Sequence, residues 1–221
     1  MGKTASLANI GSIADSSLGF RNRLINSAMV IDQRNAGASV TPTTTVYLID
    51  RWQTACNIAS KASFDQTTTA PTGFTNSMLI TSLSAYSVAA GDILTYRQVI
   101  EGFNIADLAW GTASAATVTV SFWVRSSLTG TFGGAVKNGG STRSYPFTYT
   151  ISVADTWEQK TVTIAGDTSG TWPTDNTGGL ILGFGLGVGS TTSGTAGAWA
   201  AANYNSATGA TLMSYDFSKY R

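Results

Sequence analysis

Residues 101–172 read EGFNIADLAWGTASAATVTVSFWVRSSLTGTFGGAVKNGGSTRSYPFTYTISVADTWEQKTVTIAGDTSGTW, and this stretch decides the fold class. Within it, residues 117–125 alternate strictly. Val118, Val120, Phe122 and Val124 take one side, and Thr117, Thr119, Ser121, Trp123 and Arg125 take the other. A period of two marks a strand with one face on a core. Residues 144–153 repeat the pattern with Phe147, Tyr149, Ile151 and Val153 inward. Pro146, near the start of that run, suits an edge strand or a strand's beginning, where its missing N–H matters least. Residues 157–164 follow, with Val162 and Ile164 inward. Turn residues separate these segments, and groups fit for acid–base chemistry are nearly absent. The stretch predicts a β-sandwich that presents a surface, and it points away from an enzyme.

The flanks extend the pattern. Leu24, Ile25, Met29 and Ile31 predict a first strand or pair of strands, residues 46–49 another after the loop 38–45, and residues 77–83 a third. Gly91 and Asp92 mark a turn before residues 93–100, where both faces are partly apolar, as in a central strand. A short helical turn over residues 104–110, capped by Asn104, is predicted next. Leu180, Leu182, Phe184, Leu186 and Val188 alternate with Ile181, Gly183, Gly185, Gly187 and Gly189. A face of glycines lets another backbone approach closely, from a loop of this chain or from a second subunit. Residues 189–209 are of low complexity, but Trp199 and Tyr204 within them read as a packed loop. About eight short strands, with no long helical period and no βαβ rhythm, predict an all-β, antiparallel jelly-roll sandwich.

Residues 1–22 stand apart as an N-terminal arm ahead of a sandwich domain over residues 23–221. Leu7, Ile10, Ala14 and Leu18 fall on one helical stripe, and Leu7, Ile10, Ile13 and Leu18 are the candidate anchoring residues. A stripe this thin does not fold alone. It reads either as an arm ordered against another copy or another protein, or as a disordered tail.

The chain has 221 residues, 43% of them hydrophobic and only 11% charged, against roughly 25% charged in an average soluble domain. Thr, Ser, Ala and Gly fill the difference and suit exposed strands and turns. Net charge is +1 and the 13 basic residues are scattered, so no patch predicts binding to nucleic acid or to an anionic membrane. No apolar run reaches the ~18 residues of a membrane span, and the N-terminus lacks the apolar segment of a signal peptide. The lone Cys56 forms no intramolecular disulfide and reads as a small buried side chain made in a reducing cytosol.

Histidine is absent, and glutamate occurs only at Glu101 and Glu158. This removes most general bases and every Ser-His-Asp arrangement, so no catalytic residue, metal ligand or cofactor site is predicted. The glycine run 183–189 alternates with large apolar residues and lacks the helix that a dinucleotide fingerprint needs. Recognition is left to tryptophans, whose flat apolar faces suit sugar rings. Trp52 and Trp157 sit in or beside predicted strands and read as core or inter-sheet packing. Trp123 faces away from the Val/Phe row of its strand, while Trp110, Trp172 and Trp199 fall in Gly/Thr/Ser-rich loops, so these four are the candidate glycan-binding residues. Asp50 with Arg51, and Gln98 with Glu101 near Arg125, read as internal polar contacts.

Several spaced segments resemble one family. They are residues 22–35 (NRLINSAMVIDQRN), 47–52 (YLIDRW), 98–102 (QVIEG), 121–126 (SFWVRS) and 155–158 (DTWE). Together they resemble a jelly-roll domain of tailed-phage virion proteins, found at the ends of tail and head fibres and similar to a carbohydrate-binding module. The resemblance spans roughly residues 22–209. It implies a virion structural protein without enzymatic activity, made in the host cytoplasm and commonly homotrimeric. Such a protein joins capsid or tail proteins and adheres to a host surface glycan or decorates the capsid. A dedicated receptor-recognition module of a tail fibre is the alternative. Members of the family usually finish with a strand of the form I-x-G-V-Q-L-E-x-G, whereas this chain departs from that pattern over residues 210–221. Only about twenty residues precede the domain, which favours a short appendage over the tip of a long shaft.

Overall fold

A computed structural model describes residues 22–212 and, as backbone only, Lys219–Tyr220. Its strands are β1 (Tyr47–Ile49), β2 (Trp52–Cys56), β3 (Ala62–Thr67), β4 (Ser77–Ser82), β5 (Ile93–Glu101), β6 (Val118–Val124), β7 (Gly130–Asn138), β8 (Ser144–Ile151), β9 (Glu158–Ile164), β10 (Gly178–Val188), β11 (Ser193–Gly194), β12 (Ser206–Ala207) and β13 (Lys219–Tyr220). One antiparallel sheet has the order β1-β2-β5-β10-β7-β8. Packed on it are β3 and β4, extended by β13, together with the separate pair β6–β9. The fold is the all-β sandwich that the alternating segments predict.

Burial follows the alternation. Leu180, Leu182 and Leu186 of β10, Tyr96 and Ile100 of β5, and Phe132 and Val136 of β7 lie in the core. From the other side come Phe64, Met78 and Ile80 at one end and Val118, Val120 and Ile164 at the other. Trp52 stacks on Tyr96 with ring centroids 4.7 Å apart. Cys56 is buried, as a small apolar side chain would be. β8 is one of the sheet's two edge strands, in line with Pro146. Among the described residues β4 and β6 are not paired, and between them lies a cleft of about 890 Å³ lined by Met78, Ile80, Tyr96, Val120, Phe122 and Phe184.

Several expectations need correction. Residues 24–31 form no strand. Asn26 and Met29 adopt φ of 53° and 56°, which breaks an extended run. The Asn26 side chain instead donates to Ile31 O and Asp50 O, and accepts from the Ile31 N–H, tying the segment into a loop. In place of one turn capped by Asn104 there are two 3-10 turns, Gly102–Asn104 and Ala106–Leu108. Neither has a side-chain cap, because the Asn104 amide reaches back to Glu101. Val153 is 56% exposed, since β8 ends at Ile151 and the chain turns away. The alternation did not reveal β2, β3 or β7.

The glycine face meets a loop of the same chain. Residues 193–211 cross the outer surface of the six-stranded sheet, with β11 and β12 paired in parallel. A Cβ on Gly185 would lie 2.6 Å from Ser206 Oγ, and one on Gly133 would also strike that hydroxyl. Only hydrogen at these positions lets Ser206 and Ala207 lie on the strands.

Candidate functional site

The β6–β9 pair carries the row of Val118, Val120 and Phe122 inward, which forces the alternate residues into solvent. Register places Thr119 opposite Thr163, Ser121 opposite Thr161 and Trp123 opposite Gln159. All six are exposed, none is charged, and Gln159 Nε2 donates to Ser121 Oγ at 3.3 Å. Trp123 alone among the six tryptophans is exposed, with 40% of its surface open. A flat aromatic beside hydroxyls and an amide can stack on the C–H face of a sugar and hydrogen-bond its hydroxyls. At the end of the strip Arg125 pairs with Asp155 at 3.5 Å. Behind it Glu158 accepts from Lys160 Nζ at 2.5 Å and from the Ser152 and Val153 N–H groups. These donors, Lys160 first, hold its carboxyl down at about 2. Trp157 is half-buried on the wall of the cleft.

The other candidates lie elsewhere. Trp110 and Trp172 are 5% and 7% exposed, and Trp199 is half-buried against them. The three rings meet edge-on, with centroids 4.6 Å apart for Trp110–Trp172, 5.4 Å for Trp110–Trp199 and 5.5 Å for Trp172–Trp199. Each indole N–H is satisfied within the chain, by Ala116 O, Ser169 O and Ala165 O respectively. The loops that carry them therefore fold over their own aromatics at one end of the sandwich. The fastening is an ion pair: Arg143 Nε and Nη2 each donate at 2.7 Å to Asp167, which is 1% exposed. Leu7, Ile10, Ile13 and Leu18 lie outside the described residues.

The remaining polar residues work locally. Gln98 is fully buried and exchanges two 2.8 Å hydrogen bonds with the backbone of Ile25. Glu101 pairs with Arg51 at 2.6 Å, which keeps its carboxyl below the ordinary range. Asp50 accepts from the Gln33 N–H. Gln98 and Glu101 are therefore not gathered near Arg125. Among the described residues no group of three or more His, Cys, Asp or Glu could hold a metal ion, and no helix is long and apolar enough to cross a membrane.

No family model matches the chain, and no curated protein matches it. Among solved structures it is similar to the enzymatically active domain of tailspike protein 4 of bacteriophage CBA120, with a TM-score of 0.39 and 12% identity. The match covers 82% of this chain and 20% of that one, so the chain spans about one fifth of that structure's length. The similarity is thus to a β-rich phage tail protein, at a level that assigns neither substrate nor site. It does correct one expectation. The chain was read as not an enzyme, and that exclusion does not stand beside a neighbour described as enzymatically active. The chemical reason is plain. Lack of histidine removes imidazole chemistry, but twelve carboxyl side chains remain, and glycoside hydrolysis needs only two at the right separation.

Proposed function

We propose that the chain is a phage virion protein, part of a short head or tail fibre or a capsid decoration, that engages a host surface glycan through the outward face of β6–β9. The observation that carries this reading is Trp123, exposed on an uncharged strip of Thr119, Ser121, Gln159, Thr161 and Thr163. Trp123 is the stacking platform, and the hydroxyls and the amide select the sugar. Trp199 is a second contact at the far end, braced by Trp110 and Trp172. The spaced motifs of residues 22–158 support the virion assignment. In this reading residues 1–22 anchor the protein to capsid or tail proteins, residues 23–221 form the projecting domain, and three copies assemble.

Binding to host cells and to a glycan array tests the site. Trp123→Ala should lose up to about tenfold in affinity, the worth of a good stacking contact. Trp199→Ala should lose less. Unchanged binding by Trp123→Ala would remove the β6–β9 face from consideration. Assaying the same incubations for new reducing ends reads cleavage independently of binding. Deleting residues 1–22 should leave a folded domain that no longer joins the particle.

A further inference from the structure

The opposite surface of the sandwich holds a second polar site. Arg97 on β5 and Lys137 on β7 both stand on the outer face of the six-stranded sheet, one on either side of β10. The β10 residue opposite Arg97 is Gly183, and a Cβ there would meet nothing nearer than Arg97 Cβ at 3.6 Å. No β10 side chain therefore stands beside Arg97, while Ile181 is the β10 residue opposite Lys137. Lys137 is 4% exposed and spends two of its three N–H groups on Asn203 Oδ1 at 2.9 Å and Asn205 Oδ1 at 2.7 Å. Both acceptors are neutral, and among the described residues no carboxylate pairs with Lys137 or Arg97. Tyr47 is the group whose charge acts on Arg97, and Arg97 is the one whose charge acts on Lys137.

Two buried polar atoms at this site also find no partner among the described residues: Arg97 Nε, and Ser206 Oγ on a residue 2% exposed. Ser206 covers the neighbouring Gly185, two residues along β10 from Gly183, and Asn205 beside it is the residue that holds Lys137. Two like charges on one face, without a counter-charge among the described residues, form an arrangement that an anion completes, because each donor then gains a charge-assisted hydrogen bond. We propose that Arg97, Lys137 and Ser206 form a site for one small oxyanion, the carboxylate of an acidic sugar or inorganic phosphate, seated over Gly183. Guanidinium supplies the fork, ammonium the point charge and hydroxyl a neutral donor.

This site lies on the opposite surface from the β6–β9 face, so Val153→Ala, at an exposed position outside both sites, serves as the control that keeps the response. The full chain is titrated at low ionic strength and pH 7 with glucuronate, with inorganic phosphate and with neutral glucose, and Tm is followed. A saturable rise in Tm with glucuronate alone identifies an acidic glycan. A rise with phosphate alone identifies phosphate, and glucose should give none. Arg97→Gln and Lys137→Met should each weaken the response at least about tenfold, as loss of a charge-assisted contact does. No response to either anion, or an equal response in both variants, would overturn the proposal. Should a variant not fold, the Lys137 ammonium of the wild-type chain is titrated by NMR with and without the anion. The bound anion should move its midpoint upward, and an unmoved midpoint sinks the idea.

Discussion

The two outer faces of the sandwich are built from the same period of two and end in opposite conditions. On β6–β9 the outward residues are Thr, Ser, Gln and Trp123, all in solvent. On the six-stranded sheet they include Gly133, Gly183 and Gly185 with Arg97 and Lys137, and the strap of residues 193–211 lies over Gly133, Gly185 and Lys137. The difference lies in what a strand offers once its inward row is satisfied. Hydroxyl-bearing, β-branched side chains fill the outward face themselves and hydrate well. Glycines leave the backbone bare, and a second layer settles there and desolvates whatever charge stands among them.

Breaking the link between the two regions should have the largest effect. Arg143, in the turn from β7 to β8, belongs to the covered sheet, and Asp167 follows β9 of the open pair. Asp167→Ala strands a half-buried guanidinium and should cost about 4 kcal/mol in chemical denaturation. It should also loosen the Trp110–Trp172–Trp199 end, seen as a red-shifted tryptophan emission. Next comes pH. Burial first, and then Arg97, push the Lys137 ammonium down from 10.5 to about 8. Folded protein therefore holds fewer protons than unfolded protein between those values, and stability rises as pH climbs from about 8 to 10.5. The gain should be roughly 3 kcal/mol. Lys137→Met should flatten that rise; if the slope persists, Lys137 is not its source.

Smaller effects sharpen the contrast between the faces. Gly185→Leu forces Ser206 off the strand and should cost about 2 kcal/mol, as overpacking does, with faster proteolysis in residues 193–211. Thr161→Ala on the open face should change stability by no more than about 0.5 kcal/mol. Equal costs for these two substitutions would erase the distinction. On the acid side, the low carboxyl of Glu158 means that its contribution is present above pH 4.5 and lost as pH falls toward 2. Glu158→Gln should remove that part of the acid titration.

What could be read in the sequence follows the same division. β6, β8, β9 and β10 were legible because one face of each is buried and the other is wet or made of glycine, which leaves a clean alternation. β7, GTFGGAVKN, was not. It is covered on both faces, and its glycines and Lys137 answer to Ser206, Asn203 and Asn205, some seventy residues away. Residues 24–31 carry apolar side chains at strand-like spacing, yet Gln98 and the Asn26–Ile31–Asp50 bonds fold them into a loop. Among the tryptophans, Trp123 was placed correctly by strand parity alone. Loop composition suggested open surface for Trp110 and Trp172, and only the meeting of three loops shows them buried.

By itself, the sequence determined the all-β class, the inward rows and the direction of Trp123, because period and side-chain chemistry act over neighbouring residues. Tertiary structure alone decided which outer face is covered, where the aromatic rings gather and that two cations stand on one face, either side of β10. Those outcomes depend on which distant strands pair, and pairing is set by the packing of the whole sandwich.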